Sequence, residues 1–253
     1  EFKNVSFKYP DATEYVLENI SFTAGKGETI AIIGSTGSGK STLLNLIPRF
    51  YDATEGKILI DDIDIKDYTL SHLHDKLGYV SQKAVIFRGT INYNIAYGNK
   101  ENYKITKEKI KESSKVACSN EFIEKMDKAY DSEISSGGTN VSGGQKQRIS
   151  IARAIARDPE IYLFDDTFSA LDYKTDYTLR SELKKYTKDA IKIIVAQRIG
   201  TIKNADKIIV LDKGKCVGMG KHKDLLKNCE VYKEIAYSQL SKEELENEWW
   251  KRK

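Results

Sequence analysis

Gly34-Ser35-Thr36-Gly37-Ser38-Gly39-Lys40-Ser41-Thr42 is the stretch on which the reading of this chain turns. It fits the pattern of a glycine, four residues, then Gly-Lys followed by Ser or Thr. It comes after the apolar run Ile30 to Ile33 and opens a stretch, Lys40 to about Ile47, with helical apolar spacing. Glycines let backbone N–H groups close around phosphate oxygens, and the N-terminus of the following helix adds a favourable dipole. In such a loop Lys40 reaches the β- and γ-phosphates and the Ser41 hydroxyl ligates Mg2+. With glycine at about 7% of ordinary sequence, the string arises by chance in on the order of one chain of this length per hundred. Its place between strand and helix argues against a mere flexible Gly-Ser turn. Gly34 through Thr42 are therefore expected to bind a nucleoside triphosphate.

Downstream, Ile161-Tyr-Leu-Phe-Asp165-Asp166 is an apolar strand ending in two carboxylates, an arrangement that sets one acid on Mg2+ beside a phosphate loop. Alone it would read as loop solvation or a helix cap; together with the loop it points to Asp165 as a metal ligand.

Strand-like stretches at Phe2 to Tyr9, Val16 to Thr23 and Thr29 to Ile33 make the amino-terminal part β-rich, and Lys57 to Ile60 and Leu77 to Ser81 read as further strands. Thr106 to Val116 and Asn120 to Lys128 carry apolar residues at helical spacing and predict a helical subdomain. Helix Gly144 to Arg157, strand Ile161 to Phe164, helix Lys174 to Tyr186 and strands Ile191 to Ala196 and Lys207 to Leu211 then alternate. The alternation predicts an α/β fold with a mainly parallel sheet, and the middle block a separate helical subdomain inserted in it. The expected divisions are 1–84 with 155–240 for the core and β subdomain, 85–154 for the helical subdomain, and 241–253 for a charged tail ending Trp249-Trp250-Lys-Arg-Lys.

With hydrophobic residues at 40% of 253, the chain can bury a sizeable core. Lys and Arg number 41 against 37 Asp and Glu, and the signs are interspersed, so no nucleic-acid footprint is present. Cys118, Cys216 and Cys229 show neither metal nor disulfide spacing and read as buried thiols of a reducing compartment. No apolar run reaches the roughly 18 residues that span a bilayer. The chain opens at Glu1 directly in a strand-like segment, which predicts a domain of a longer protein.

Between the two phosphate-site elements lies Val141-Ser142-Gly143-Gly144-Gln145-Lys-Gln-Arg148. It closely resembles the signature sequence of ATP-binding cassette (ABC) proteins, with Val141 where Leu is usual. A hydroxyl and two glycines opening a helix can meet an anion from outside, although an ordinary N-capped helix begins the same way. The resemblance covers essentially the whole chain, and it implies a P-loop (RecA-like) core with an antiparallel β subdomain and an inserted helical subdomain, ATP as the nucleotide, and a head-to-tail dimer in which Ser142, Gly143 and Gly144 meet the γ-phosphate held by a second cassette. It further implies that Tyr9 stacks on adenine, that Gln82 in Tyr79-Val-Ser-Gln82 touches Mg2+ or the attacking water, and that Asp172 in Ser169-Ala-Leu-Asp172 lies near the dimer interface. Phe87-Arg-Gly-Thr-Ile-Asn-Tyr-Asn-Ile95 is similar to exporter-type cassettes, which implies an exporter domain on the cytoplasmic face of a membrane, held by transmembrane segments outside this sequence.

Besides Val141, the chain departs from the family at two single positions and in one short segment. Hydrolysing members carry Glu where this chain has Asp166, a general base one methylene short, and His where this chain has Gln197, an amide that carries no titrating proton. Ser135-Ser136-Gly137-Gly138 also lacks the acidic residue common in exporter cassettes. Damage at Asp166 and Gln197 beside an undamaged phosphate loop and signature resembles the degenerate half of a heterodimeric exporter; a homodimer with slow ATPase is the alternative. Two other classes compete with a transporter domain. A soluble cassette acting on ribosomes or DNA usually has paired cassettes or a coiled coil, and a P-loop kinase or GTPase needs an acceptor or guanine-reading motif; neither set of features is found in the sequence.

Overall fold

Ile30, Ala31, Ile32 and Ile33 have no solvent exposure, as an apolar run without polar alternation requires of a strand covered on both faces. This strand sits in the first of two compact units, Glu1–Leu73 with the chain from Lys192 onward, the second being His74–Ile191. The structure, a computed structural model, describes residues 1–98 and 104–240, so the tail with Trp249-Trp250 lies outside the described residues.

In chain order the first unit opens with β1 (Phe2–Phe7), β2 (Leu17–Phe22), β3 (Thr29–Gly34), α1 (Lys40–Leu46), β4 (Glu55–Ile60) and β5 (Ile63–Asp64). After α2 (Leu70–Asp75) come β6 (Leu77–Val80), β7 (Gly89–Thr90), α3 (Ile91–Ala96), α4 (Lys107–Val116), α5 (Asn120–Ile123), β8 (Glu133–Ile134), α6 (Gly143–Ala156), β9 (Ile161–Asp165) and α7 (Tyr173–Tyr186). The chain returns through β10 (Ile191–Val195), α8 (Ile199–Ile202), β11 (Lys207–Asp212), β12 (Lys215–Gly220), α9 (His222–Asn228) and α10 (Glu230–Gln239).

Two sheets organise the first unit. β2-β1-β4-β5 is antiparallel, pairing Phe2 with Phe22 and Val5 with Ile20, and the Phe2 and Phe22 rings stack at 4.4 Å. In the other, β3 lies parallel to β10 and to β11, in registers Ile32↔Val195 and Ile32↔Ile209, and β12 closes the edge antiparallel to β11. Leu43, Leu44 and Leu46 bury one side of α1 completely. The second unit pairs β6 parallel to β9, Gly78 opposite Tyr162, and packs α6 against α3, α4 and β6. The fold class is the one expected: mixed α/β, parallel pairing dominating one set of strands and antiparallel pairing the other.

The strands and longer helices match the sequence reading to within a residue or two, with one clear exception. The helix expected over Asn120 to Lys128 stops at Ile123. No residue from Glu124 to Ala129 is buried, Lys125 and Met126 donate to carbonyls three residues back, and Ala129 turns to φ 44°. With few apolar anchors, tighter i→i−3 turns replace the α-helix. The short α2, α3 and α9 and the edge strand β12 had no expectation in the sequence.

The core ordering predicts a contrast. Ile32→Ala, in fully buried β3, should cost about 2–5 kcal/mol in urea unfolding. Ile63→Ala, at a side chain 47% exposed, should stay within about 0.5 kcal/mol.

Candidate active site

β3 delivers the chain into the loop Gly34–Thr42, and two glycines are there for steric reasons. A Cβ on Gly34 would stand 2.1 Å from the Leu211 carbonyl oxygen. Gly39, the residue before α1, has φ 97°, and a Cβ on it would stand 2.7 Å from Leu17 Cδ2. Lys40 is buried, and its Nζ donates to the carbonyls of Gly34 at 3.0 Å and Ser35 at 2.7 Å, so the ammonium is held across the mouth of the loop. Ser38 Oγ is buried without a hydrogen-bond partner. A pinned cation and an orphaned hydroxyl in a glycine-rich turn are a donor set that suits phosphate oxygens.

Tyr9 is brought to this loop: its hydroxyl lies 3.0 Å from Thr42 Oγ1, and its ring meets Phe7 and Tyr51 edge-on at 4.9 and 5.1 Å. Beside it opens a concavity of about 480 Å3, lined also by Lys8, Asp52 and Thr54. Gln197 lies in the same unit, exposed, two residues beyond β10, and its backbone carbonyl accepts from Gln239 Nε2 at 2.7 Å.

In the second unit β9 ends on two buried carboxylates, Asp165 and Asp166. Asp166 adopts the left-handed region at φ 44°, ψ 30°, a conformation that Asp tolerates better than most side chains. Its Oδ2 accepts from Gln82 Nε2 at 3.2 Å, so two residues singled out separately in the sequence are neighbours here. Thr167 Oγ1 donates to Val80 O at 3.1 Å and Ser169 Oγ to Asp166 O at 2.7 Å, bracing the turn on both sides. Burial, with the Asp165 carboxylate as a smaller contribution, pushes the Tyr79 hydroxyl up to about 12.

Ser142 starts α6 with a complete capping box. Its Oγ accepts from Gln145 N at 3.2 Å while Gln145 Oε1 accepts from Ser142 N at 2.8 Å. Ser142 and Gly143 are exposed, and nothing lies within 4 Å of where a Gly143 Cβ would be. One turn on, Gln147 Nε2 donates to Ser81 O at 3.1 Å, tying this helix to the residue before Gln82. Asp172 caps α7, accepting from Thr175 N at 3.0 Å; hydrogen bonds from Thr175 hold its carboxyl below the usual range.

Arg153, in the last turn of α6, carries structure that no sequence motif marks. Its guanidinium donates to Asn94 O, Val85 O and Asn94 Oδ1 at 2.7, 2.9 and 3.1 Å and lies over the rings of Phe87 and Tyr97. Asn94, fully buried, accepts from Phe87 N at Oδ1 and donates through Nδ2 to Phe87 O and Thr90 O. Burial pulls the Arg153 guanidinium down to about 10. The pair organises the segment after Gln82; only the position of Arg153 on the signature helix could have suggested it.

A family model described as ABC transporter matches residues 17–169, more than half of the chain and both the phosphate loop and the signature segment. The chain belongs to the ABC transporter family. The ATP-dependent lipid A-core flippase of Haemophilus influenzae is 43% identical over 241 residues, 95% of this chain and 41% of that protein. Multidrug resistance protein 1 of Entamoeba histolytica is 42% identical over 241 residues, covering 95% of this chain and 18% of its own length. Among solved structures, a bacterial Atm1-family ABC exporter with ATP bound superposes with a TM-score of 0.90 at 38% identity, over 95% of this chain and 42% of that one. The chain thus spans about two fifths of the flippase and of the exporter. No helix among the described residues is long and apolar enough to cross a membrane.

Two measurements check this geometry. Ser142→Ala removes the cap acceptor for Gln145 N and should cost about 1 kcal/mol in denaturant unfolding. Tyr79 ionises near 10 when unfolded but near 12 when folded, so the unfolded chain releases its proton first. Its contribution to stability is therefore full below about pH 10 and lost as pH rises through about 12; Tyr79→Phe should flatten the decline of the urea midpoint over that window.

Proposed function

We propose that this chain is the ATP-binding and ATP-hydrolysing energy-coupling domain of an ABC exporter, with a slow site of its own. The observation that carries the reading is the loop Gly34–Thr42, where Lys40 Nζ is pinned across the backbone carbonyls and Ser38 Oγ is left without a partner. Lys40, the backbone of Gly34 to Gly39 and Thr42 bind the phosphates, and Tyr9 stacks on adenine. Ser41 and Asp165 would hold Mg2+, and Gln82 would touch the metal or the attacking water. The donor set suits the ion: a hydroxyl, a carboxylate and an amide oxygen are hard oxygen ligands. When bound, Mg2+ neutralises charge that develops on the phosphates.

Asp166 orients and deprotonates the attacking water, and Gln197 hydrogen-bonds the γ-phosphate. Gln82 restrains the Asp166 carboxylate through the 3.2 Å hydrogen bond. A base one methylene short reaches the water poorly, and errors near 1 Å cost on the order of a hundredfold in rate. Ser142, Gly143 and Gly144 then serve the ATP of a second cassette, where the exposed start of α6 offers N–H donors, and Asp172 stands at that interface. The asymmetry favours a heterodimer; a homodimer with slow turnover is the second reading, since Asp166 remains a carboxylate buried beside Gln82. The exporter assignment and the transmembrane partner rest on the relatives' names and on the segment Phe87 to Ile95. The domain is placed on the cytoplasmic face of a membrane. Its divisions are a core and β subdomain over 1–84 and 155–240, a helical subdomain over 85–154 and a tail over 241–253.

The test is Mg2+-dependent ATP turnover and ATP binding by the chain, alone and with a candidate partner cassette. Wild type should bind ATP and turn over slowly, and Lys40→Ala should abolish binding. Asp166→Glu combined with Gln197→His should raise kcat by on the order of a hundredfold. Brisk turnover by the unaltered chain alone would overturn the slow-site reading, and absence of ATP binding would overturn the whole.

A further inference from the structure

Gln197 stands on a short connection whose backbone is pinned at three successive points. Ala196 N donates to Ile32 O of β3 at 3.1 Å, fixing the start of the connection to the strand that carries the phosphate loop. Gln239, the last residue of α10, then takes hold of the next two groups with one side chain: Nε2 donates to Gln197 O at 2.7 Å and Oε1 accepts from Ile199 N at 2.8 Å. That pair of bonds closes a ring around Gln197 and Arg198, as a neighbouring strand would, but with a side-chain amide in place of a peptide.

Local chemistry explains why the bonds are needed. α8 begins at Ile199, and its N-cap residue is Arg198, which supplies no side-chain cap. The first N–H of a helix has no intrahelical acceptor, and Ser, Thr, Asp or Asn normally furnish one from the cap position. Here the acceptor comes from a residue 40 positions away in sequence. Gln239 can deliver it because α10 is itself anchored: Tyr232 and Ala236 are fully buried, and the helix packs on α8, β3 and β11.

We infer that Gln239 is a positioning residue for Gln197: by clamping the backbone on both sides of residue 198, α10 sets where the Gln197 amide points toward the γ-phosphate. The inference rests on the assignment of Gln197 as the γ-phosphate contact. Gln239 acts through that contact alone, by its bonds to Gln197 O and Ile199 N, so its loss weakens what distinguishes ATP from ADP and leaves the shared α- and β-phosphate contacts intact.

Affinities for Mg-ATP and Mg-ADP, measured by titration calorimetry on the chain, read this without requiring turnover. Wild type should prefer ATP. Gln239→Met, close in volume and without the amide, should lower the ATP-to-ADP preference by about tenfold, as one hydrogen bond to a charged group predicts, with ADP affinity unchanged. Gln197→Ala should lower it equally, and the double variant should show no further loss, because the two residues act in series. Gln239→Glu, which keeps the acceptor for Ile199 N but removes the donor to Gln197 O, should follow Gln239→Met. Equal loss of ATP and ADP affinity, additive losses in the double variant, or an unchanged preference in both Gln239 variants would overturn the inference. Wild type binding ATP and ADP alike would overturn it while leaving the nucleotide-binding function standing; failure to bind either would remove both.

Discussion

The burial of β3 on both faces is the constraint on which the phosphate loop depends. Ile30 to Ile33 are fully covered, and the strand is held by parallel neighbours on either side, so the point where it ends is defined by two ladders and not by the loop itself. Gly34 is then forced by the Leu211 carbonyl 2.1 Å from any Cβ, and the chain must turn sharply before α1, whose Leu43, Leu44 and Leu46 anchor it from below. Loop conformation follows from packing on the strand and on the helix. Lys40 is drawn over the carbonyls of Gly34 and Ser35 because its backbone is already placed in the first turn of that helix.

In the second unit the same logic runs through hydrogen bonds. Asp166 sits in the left-handed region at the end of β9, an uncommon conformation that needs support, and Thr167 and Ser169 supply it by bonding to Val80 O and Asp166 O. Gln82 and Gln147 join in: one bonds the Asp166 carboxylate, the other the carbonyl of Ser81, next to Gln82 in the chain. Helix α6, the segment Tyr79 to Gln82 and the Asp166 carboxylate therefore share one connected network, braced further along α6 by Arg153 and Asn94. A change at one member is expected to be felt at the others, since groups in one network do not contribute independently.

Much of this was legible because the phosphate loop, the acid-ended strand and the signature segment are contiguous strings whose chemistry depends on neighbours in sequence. Ser142 with Gln145 is such a case: a capping box is written in four residues and needs no distant partner. Where the reading failed, the deciding contacts were not local. Asn120 to Lys128 has plausible helical spacing, yet the helix ends at Ile123 because little beyond it is buried until Tyr130. Propensity over so short a stretch yields to the absence of a packed face.

The sequence by itself determined the α/β class and the strand that enters the phosphate loop, and it raised the expectation of chemical departures from the family at Asp166 and Gln197. These are properties of residue type and spacing, and no folding is needed to see that Asp is shorter than Glu or that an amide does not titrate. Only the tertiary structure decided that Gln82 bonds Asp166, that Tyr9 meets Thr42, that Arg153 organises the residues after Gln82, and that Gln239 clamps the backbone around Gln197. Each of those pairs is separated by 33 or more positions. Such contacts are set by how buried strands and helices bring distant backbone together, which the spacing of residues along one segment does not encode.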